Sequence, residues 1–191
     1  MSKDLGDTDL GRLREQLERL SRLIRQQGFE DGLNPAQWEA LRYISRANRF
    51  SNSPGALAQY LGSTKGTVSQ TILSLEKKGL LEKLQSAADA RVVLLALTSA
   101  GTEMLAKDPL SSLSADIGEL SGKTARRLAK GIVEILQGQI KRQQQSEFGG
   151  CLDCRHWRDR SGEDQFSHCM LFDAQLAKDE LAKLCLYHLQ R

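Results

Sequence analysis

All four cysteines of this 191-residue chain lie at or beyond position 151, as Cys151, Cys154, Cys169 and Cys185 in the spacing C-x2-C-x14-C-x15-C. The first two form a chelating knuckle, because two intervening residues let both thiolates reach one centre. Four clustered cysteines in a chain without a secretory leader point to metal or redox chemistry rather than to disulfides. A four-thiolate iron–sulfur cluster employs all four and tolerates ligands delivered singly from separated segments, so a cluster is the favoured cofactor. Zinc is the alternative. It prefers two chelating pairs, and the second would be Cys185 with His188, which leaves Cys169 without a role. His168 is badly placed beside Cys169 to share one ion, and His156 reads as a supporting or surface residue. Trp157, Phe166, Met170, Leu171 and Phe172 offer an apolar shell that excludes water. The dithiol CLDC also permits a thioredoxin-like oxidoreductase, but the βαβ context of that motif is missing. No paired carboxylates, nucleophile triad or phosphate-binding glycine loop accompanies it, so the chain is not expected to be an enzyme.

The elements that must carry these thiols are a joint and a helix. Gly149 and Gly150 precede the knuckle, and DAQLAKDELAKLCLYHLQ predicts a helix capped by Asp173 with Leu181, Leu184, Cys185 and His188 on one face.

The remainder of the chain has an ordinary globular composition, with 40% hydrophobic and 27% charged residues. A net charge of +3 is compatible with an anionic partner and is weak evidence for one. The N-terminus lacks a secretory signal and no apolar run is long enough to span a bilayer, so a cytoplasmic protein without a membrane partner is expected.

Leu10, Leu13, Leu17, Leu20 and Ile24 alternate at three and four residues, the stripe of one helix. Asn34-Pro35 opens a helix through Trp38, Leu41 and Ile44. Ser53-Pro54 starts a short helix with Leu57, Ala58 and Leu61 inward, and Gly62 ends it. The next helix starts at Ser63 or Thr64 and turns Val68, Ile72 and Leu75 to the core. Its other face presents Thr64, Lys65, Thr67, Ser69, Gln70 and Ser74, with lysines near both ends. Hydroxyl donors, an amide and small side chains suit phosphate oxygens and base edges, although a plain solvated face has similar chemistry. LLEKLQ and VVLLALT read as strands joined by the turn SAADAR. Thr98 caps a helix through Leu105, Pro109 interrupts it, and a helical segment over about 112–146 with a break near Ser121 carries the stripe Leu128, Ile132, Ile135, Leu136 and Ile140.

This element order, with TVSQTILSLEKKGLLEKL followed by DARVVLLALTSAGTEML, resembles the winged helix-turn-helix regulators of the MarR family over roughly residues 8–145. The implied fold is mainly α with a small β-hairpin. The resemblance implies a homodimer held by the first and last helices, with residues 1–30 and 110–148 as its helical dimerisation region. Residues 31–109 would form the DNA-binding domain, and 149–191, for which nothing in the family pattern accounts, are read from their own chemistry as a cysteine-ligated extension. The resemblance also implies that the helix from Thr64 enters the major groove of double-stranded DNA, that Arg91 reaches phosphate or minor groove from the wing, and that Asp89 orients Arg91. Val92, Val93 and Leu94 stand where a second basic wing residue is common. Two-fold symmetry implies a pseudo-palindromic operator with half-sites about 34 to 36 Å apart. The functional expectation is a transcriptional regulator whose DNA affinity follows a cysteine-bound cluster sensing redox or iron status. Gly149 and Gly150 would join that sensor to the dimer, and its assembly would alter the spacing of the recognition helices.

Overall fold

The computed structural model describes residues 6–29, 31–85, 91–160 and 166–191. Local sequence signals account for its first half. The helix α1 spans Asp7–Gln27, and α2, Pro35–Arg46, starts at a capping box: Asn34 accepts from the Gln37 N–H (2.9 Å) while Gln37 Oε1 accepts from the Asn34 N–H (3.1 Å). Ser53 caps α3, Pro54–Tyr60, and Thr64 caps α4, Lys65–Lys77, each accepting from the backbone N–H three residues on. Gly62 carries the chain between α3 and α4 at φ +56, a conformation that L side chains avoid. Trp38, Leu41 and Tyr43 of α2 pack with Leu57 of α3 and with Val68, Ile72 and Leu75 of α4 in a core from which water is excluded.

The hairpin follows, with β1, Leu81–Gln85, antiparallel to β2, Val93–Leu97, in the register Leu81↔Leu97 to Gln85↔Val93. The joining residues 86–90, including Asp89, lie outside the described residues. Helix α5, Ser99–Leu105, crosses directly over the strand entry. A methyl group at Gly101 would stand 2.0 Å from the Leu80 carbonyl oxygen, which is the physical content of the glycine after the Leu97-Thr98 pair. Helices α6, Leu110–Gly118, and α7, Gly122–Arg142, complete the helical part, and Ser121 caps α7 at the expected break. The last helix ends at Arg142, earlier than about 146, because Gln144 turns left-handed at φ +52. The architecture is thus mainly α with a small hairpin, as expected, and among the described residues no helix is long and apolar enough to cross a membrane.

The C-terminal segment departs from expectation. In place of a helix from Asp173, the chain forms an antiparallel sheet of β3, Trp157–Arg160, β4, Phe166–Cys169, and β5, Ala174–Leu176, followed by a 3-10 turn at Lys178–Glu180. Asp173 has φ +45 and turns the chain between β4 and β5 instead of capping a helix. Beyond it the backbone donors go to distant partners: Leu184 to the Arg46 carbonyl (2.7 Å), Cys185 to Gly149 (3.0 Å) and Arg191 to Asp153 (3.1 Å). A short helix has marginal intrinsic stability, so long-range pairing overrides the helical periodicity.

Candidate functional site

Two surfaces carry the chemistry. On α4 the inward residues Val68, Ile72 and Leu75 are buried, and Thr64, Lys65, Thr67, Ser69 and Gln70 are exposed on other sides of the helix. Thr64 Oγ1 accepts from the Thr67 N–H (3.2 Å) and lies 2.9 Å from Thr67 Oγ1, so the helix start presents paired hydroxyls. Ser74 is placed differently: its half-buried Oγ accepts from Gln37 Nε2 (2.8 Å), docking α4 on α2. Glu76, the acidic residue of this helix, pairs with Lys83 of β1 (2.5 Å). Arg91 is exposed at the wing.

The second surface is a small cavity of about 20 Å³, partly open to solvent, and all four cysteines line it. Cys151, Cys154 and Cys185 are buried and Cys169 is half-buried, all as free thiols. The knuckle is a tight turn in which the Cys154 N–H donates to the Cys151 carbonyl (3.0 Å), and the Cys151 N–H is held by Leu181 (2.7 Å). Cys185 pairs in antiparallel fashion with Gly149, Cys154 with Gln190, and Cys169 with Trp157 across β3 and β4. The two glycines serve close approach. A side chain at Gly149 would meet the His188 ring at 2.7 Å, and one at Gly150 the Leu181 carbonyl at 2.9 Å.

Burial pushes the Cys151 thiol up to about 11, assisted by the charges that Cys185, Cys154, Cys169 and Glu180 would carry. Four acidic groups sharing one desolvated space repel when ionised, and a cationic centre reverses that penalty. Among the described residues no three His, Cys, Asp or Glu side chains converge tightly enough to hold a single ion. The four soft donors nevertheless line one common space. His188 Nε2 bonds Asp153 Oδ1 (3.2 Å), and the residue does not line the cavity. His168 Nε2 contacts Asp173 Oδ1 (2.9 Å), whereas His156 does line the space.

Of the expected apolar shell, Trp157, Leu171 and Phe172 line the cavity. Met170 is exposed, and the side chain of Phe166 lies outside the described residues. Sequence reasoning missed Asn48 and Phe50, which reach the thiols from the α2–α3 loop. No local signal links them to cysteines a hundred positions away; only the stacking of Phe50 on Phe172 (centroids 4.1 Å, planes 3° apart) brings them together.

That loop joins the two surfaces. On one side the Asn48 N–H donates to the Leu184 carbonyl (2.9 Å) and the Leu186 N–H to Ser51 Oγ (2.8 Å). Arg49 pairs with Glu180 (3.4 Å) and donates to the Gln175 carbonyl. On the other side the Leu95 N–H of β2 donates to the Asn52 carbonyl (2.6 Å), and Asn52 Nδ2 to the Leu95 carbonyl (3.3 Å).

A MarR family model matches residues 31–92, from the turn ahead of α2 to the wing, and ends well before the cysteine segment. Among solved structures the chain is similar to Streptococcus pneumoniae FabT in complex with DNA (TM-score 0.58, 22% identity, 70% of this chain and 99% of that chain). It is also similar to S. aureus MepR in its DNA-binding conformation (TM-score 0.59, 18% identity, 66% and 98%) and to the PcaV transcriptional regulator of Streptomyces coelicolor with its natural ligand (TM-score 0.51, 18% identity, 72% and 98%). No curated protein matches the chain. At these identities the likeness is one of fold. Residues 31–92 thus match a MarR family model and fold as a winged helix-turn-helix, with a four-cysteine segment folded against the α2–α3 loop.

Proposed function

We propose that the protein is a DNA-binding transcriptional regulator that acts as a homodimer and whose DNA affinity depends on an iron–sulfur cluster held by Cys151, Cys154, Cys169 and Cys185. The DNA-binding part of this reading rests on the winged helix-turn-helix, on the exposed hydroxyl, amide and lysine face of α4, and on FabT, a solved structure of the same fold in complex with DNA. Dimerisation rests on α1 and α7, which contain no buried residue while Leu10, Leu13, Ile132, Ile135 and Leu136 are 41% to 55% exposed. Such apolar stripes need a partner, and a second copy of this chain supplies the matching ones.

The observation that carries the sensing role is the α2–α3 loop, which lines the cysteine cavity with Asn48 and Phe50 and holds the wing strand through Asn52. This route runs within one subunit. A rearrangement of the thiols would shift Leu184 and Leu186 against the loop, and through it the wing and the start of α3. The path through Gly149 and Gly150 to the dimer spacing, implied by the sequence, is a separate route that this one does not require.

The test is purification without oxygen, followed by visible spectroscopy and iron, sulfide and zinc analysis. Binding of loaded and stripped protein to duplexes selected from a random pool then follows. Iron and sulfide that vanish when any of the four cysteines becomes serine, together with a change in DNA affinity on loading, are expected. A colourless protein with one zinc per chain rejects the cluster, and equal affinity of both forms rejects the coupling.

A further inference from the structure

Two donors in the wall of the cysteine cavity have no acceptor among the described residues. Asn48 is only 1% exposed; its Oδ1 accepts from the Phe50 N–H (3.1 Å), but its Nδ2 is buried without a hydrogen-bond partner among the described residues. The Trp157 indole Nε1 is likewise buried without an acceptor, and both residues line the same space as the four thiols. A buried N–H left unpaired is costly, and native proteins rarely retain one without a reason. Besides the sulfurs, the lining carries the polar side chains of His156 and Tyr187, and neither accepts from these two donors.

We infer that Asn48 and Trp157 are positioning residues whose side-chain N–H groups donate to the sulfur atoms of the centre bound by the four cysteines and thereby set its reduction potential. This rests on the cysteine-centre reading above. Thiolate and sulfide sulfurs carry the negative charge that such donors stabilise. Hydrogen bonds to them favour the more negative, reduced state and raise the potential. Asn48 has a further property that Trp157 lacks. Its own backbone bonds to Leu184 and lies in the loop that reaches the wing, so the group that senses sulfur charge is part of the DNA-reading fold.

Asn48→Asp keeps the acceptor for the Phe50 N–H and replaces the donor with a carboxylate, whose charge also moves a potential negative; Trp157→Phe adds no charge, keeps an aromatic ring and removes the indole N–H. Each variant and the wild type are reconstituted anaerobically with ferrous iron and sulfide, and metal content and midpoint potential are measured. Both variants are expected to load with the wild-type visible spectrum and to show a midpoint potential shifted to more negative values, the double variant most. If Asn48→Asp does not fold, Trp157→Phe carries the test alone. If the wild type holds a single ion instead, cobalt substitution gives the readout, since loss of a donor moves the thiolate-to-metal charge-transfer band. A loaded wild type with unchanged potentials or bands in the variants overturns this inference and leaves the cysteine centre standing. A wild type that takes up neither cluster nor ion overturns both.

Discussion

Two residues with similar chemistry, Ser69 and Ser74, have different roles. The sequence places both on the outward face of α4, but Ser74 accepts from Gln37 and is half-buried. Ser74→Ala should therefore lower stability by about 1 kcal/mol, read from urea unfolding, and leave the salt dependence of DNA binding unchanged. Lys65→Ala and Arg91→Ala should do the converse, each weakening DNA binding for all sequences and reducing the salt slope by about 1. Gln70→Ala should instead relax base preference by about 1–3 kcal/mol at one position of a selected site. The difference between Ser69 and Ser74 was not legible in the sequence, because it depends on where Gln37 of another helix ends. The caps at Asn34, Ser53, Thr64 and Thr98 were legible because donor and acceptor lie three residues apart.

At the scale of elements, the helices of the DNA-reading half follow from periodicity and capping, whereas the cysteine segment does not. The pattern of Leu181, Leu184, Cys185 and His188 fits a helix, but the backbone there is drawn into pairing with Arg46, Gly149 and Asp153. One such pairing provides a test of the coupling loop. Ser51→Ala removes the acceptor of the Leu186 N–H without touching a thiol. Iron and sulfide content should remain as in the wild type while the ratio of loaded to stripped DNA affinity moves toward one. A ratio unchanged by the substitution would place the coupling elsewhere. For α7, introducing Ile135→Asp and Leu136→Asp together on the exposed stripe should convert a dimer to a monomer in sedimentation without loss of helical content, because neither side chain is buried within the chain.

At the scale of the whole molecule, the cysteine segment packs on the core of the helical part. Phe148, Leu184 and Leu186 pack on the same core as Trp38 and Leu57, and the Phe148 ring meets Tyr43 and Tyr60 edge-on at 6.0 and 5.2 Å. Removing the proposed cysteine-bound centre should therefore lower the melting temperature of the entire fold in a single transition, since a centre bound only by the folded state stabilises all of it. Two separated transitions, with the Trp38 environment surviving loss of the cysteine segment, would contradict this. The sequence by itself determined the order of the helices and the wing, and it gathered the four thiols in the last segment, because caps, periodicity and composition act over a few residues. Only the tertiary structure decided that this segment forms strands and that its thiols share one cavity with Asn48 and Phe50. The same holds for the wall between cysteines and wing being a loop near the middle of the chain. Those features depend on hydrogen bonds and ring stacking between residues far apart in sequence, and such contacts have no local signature.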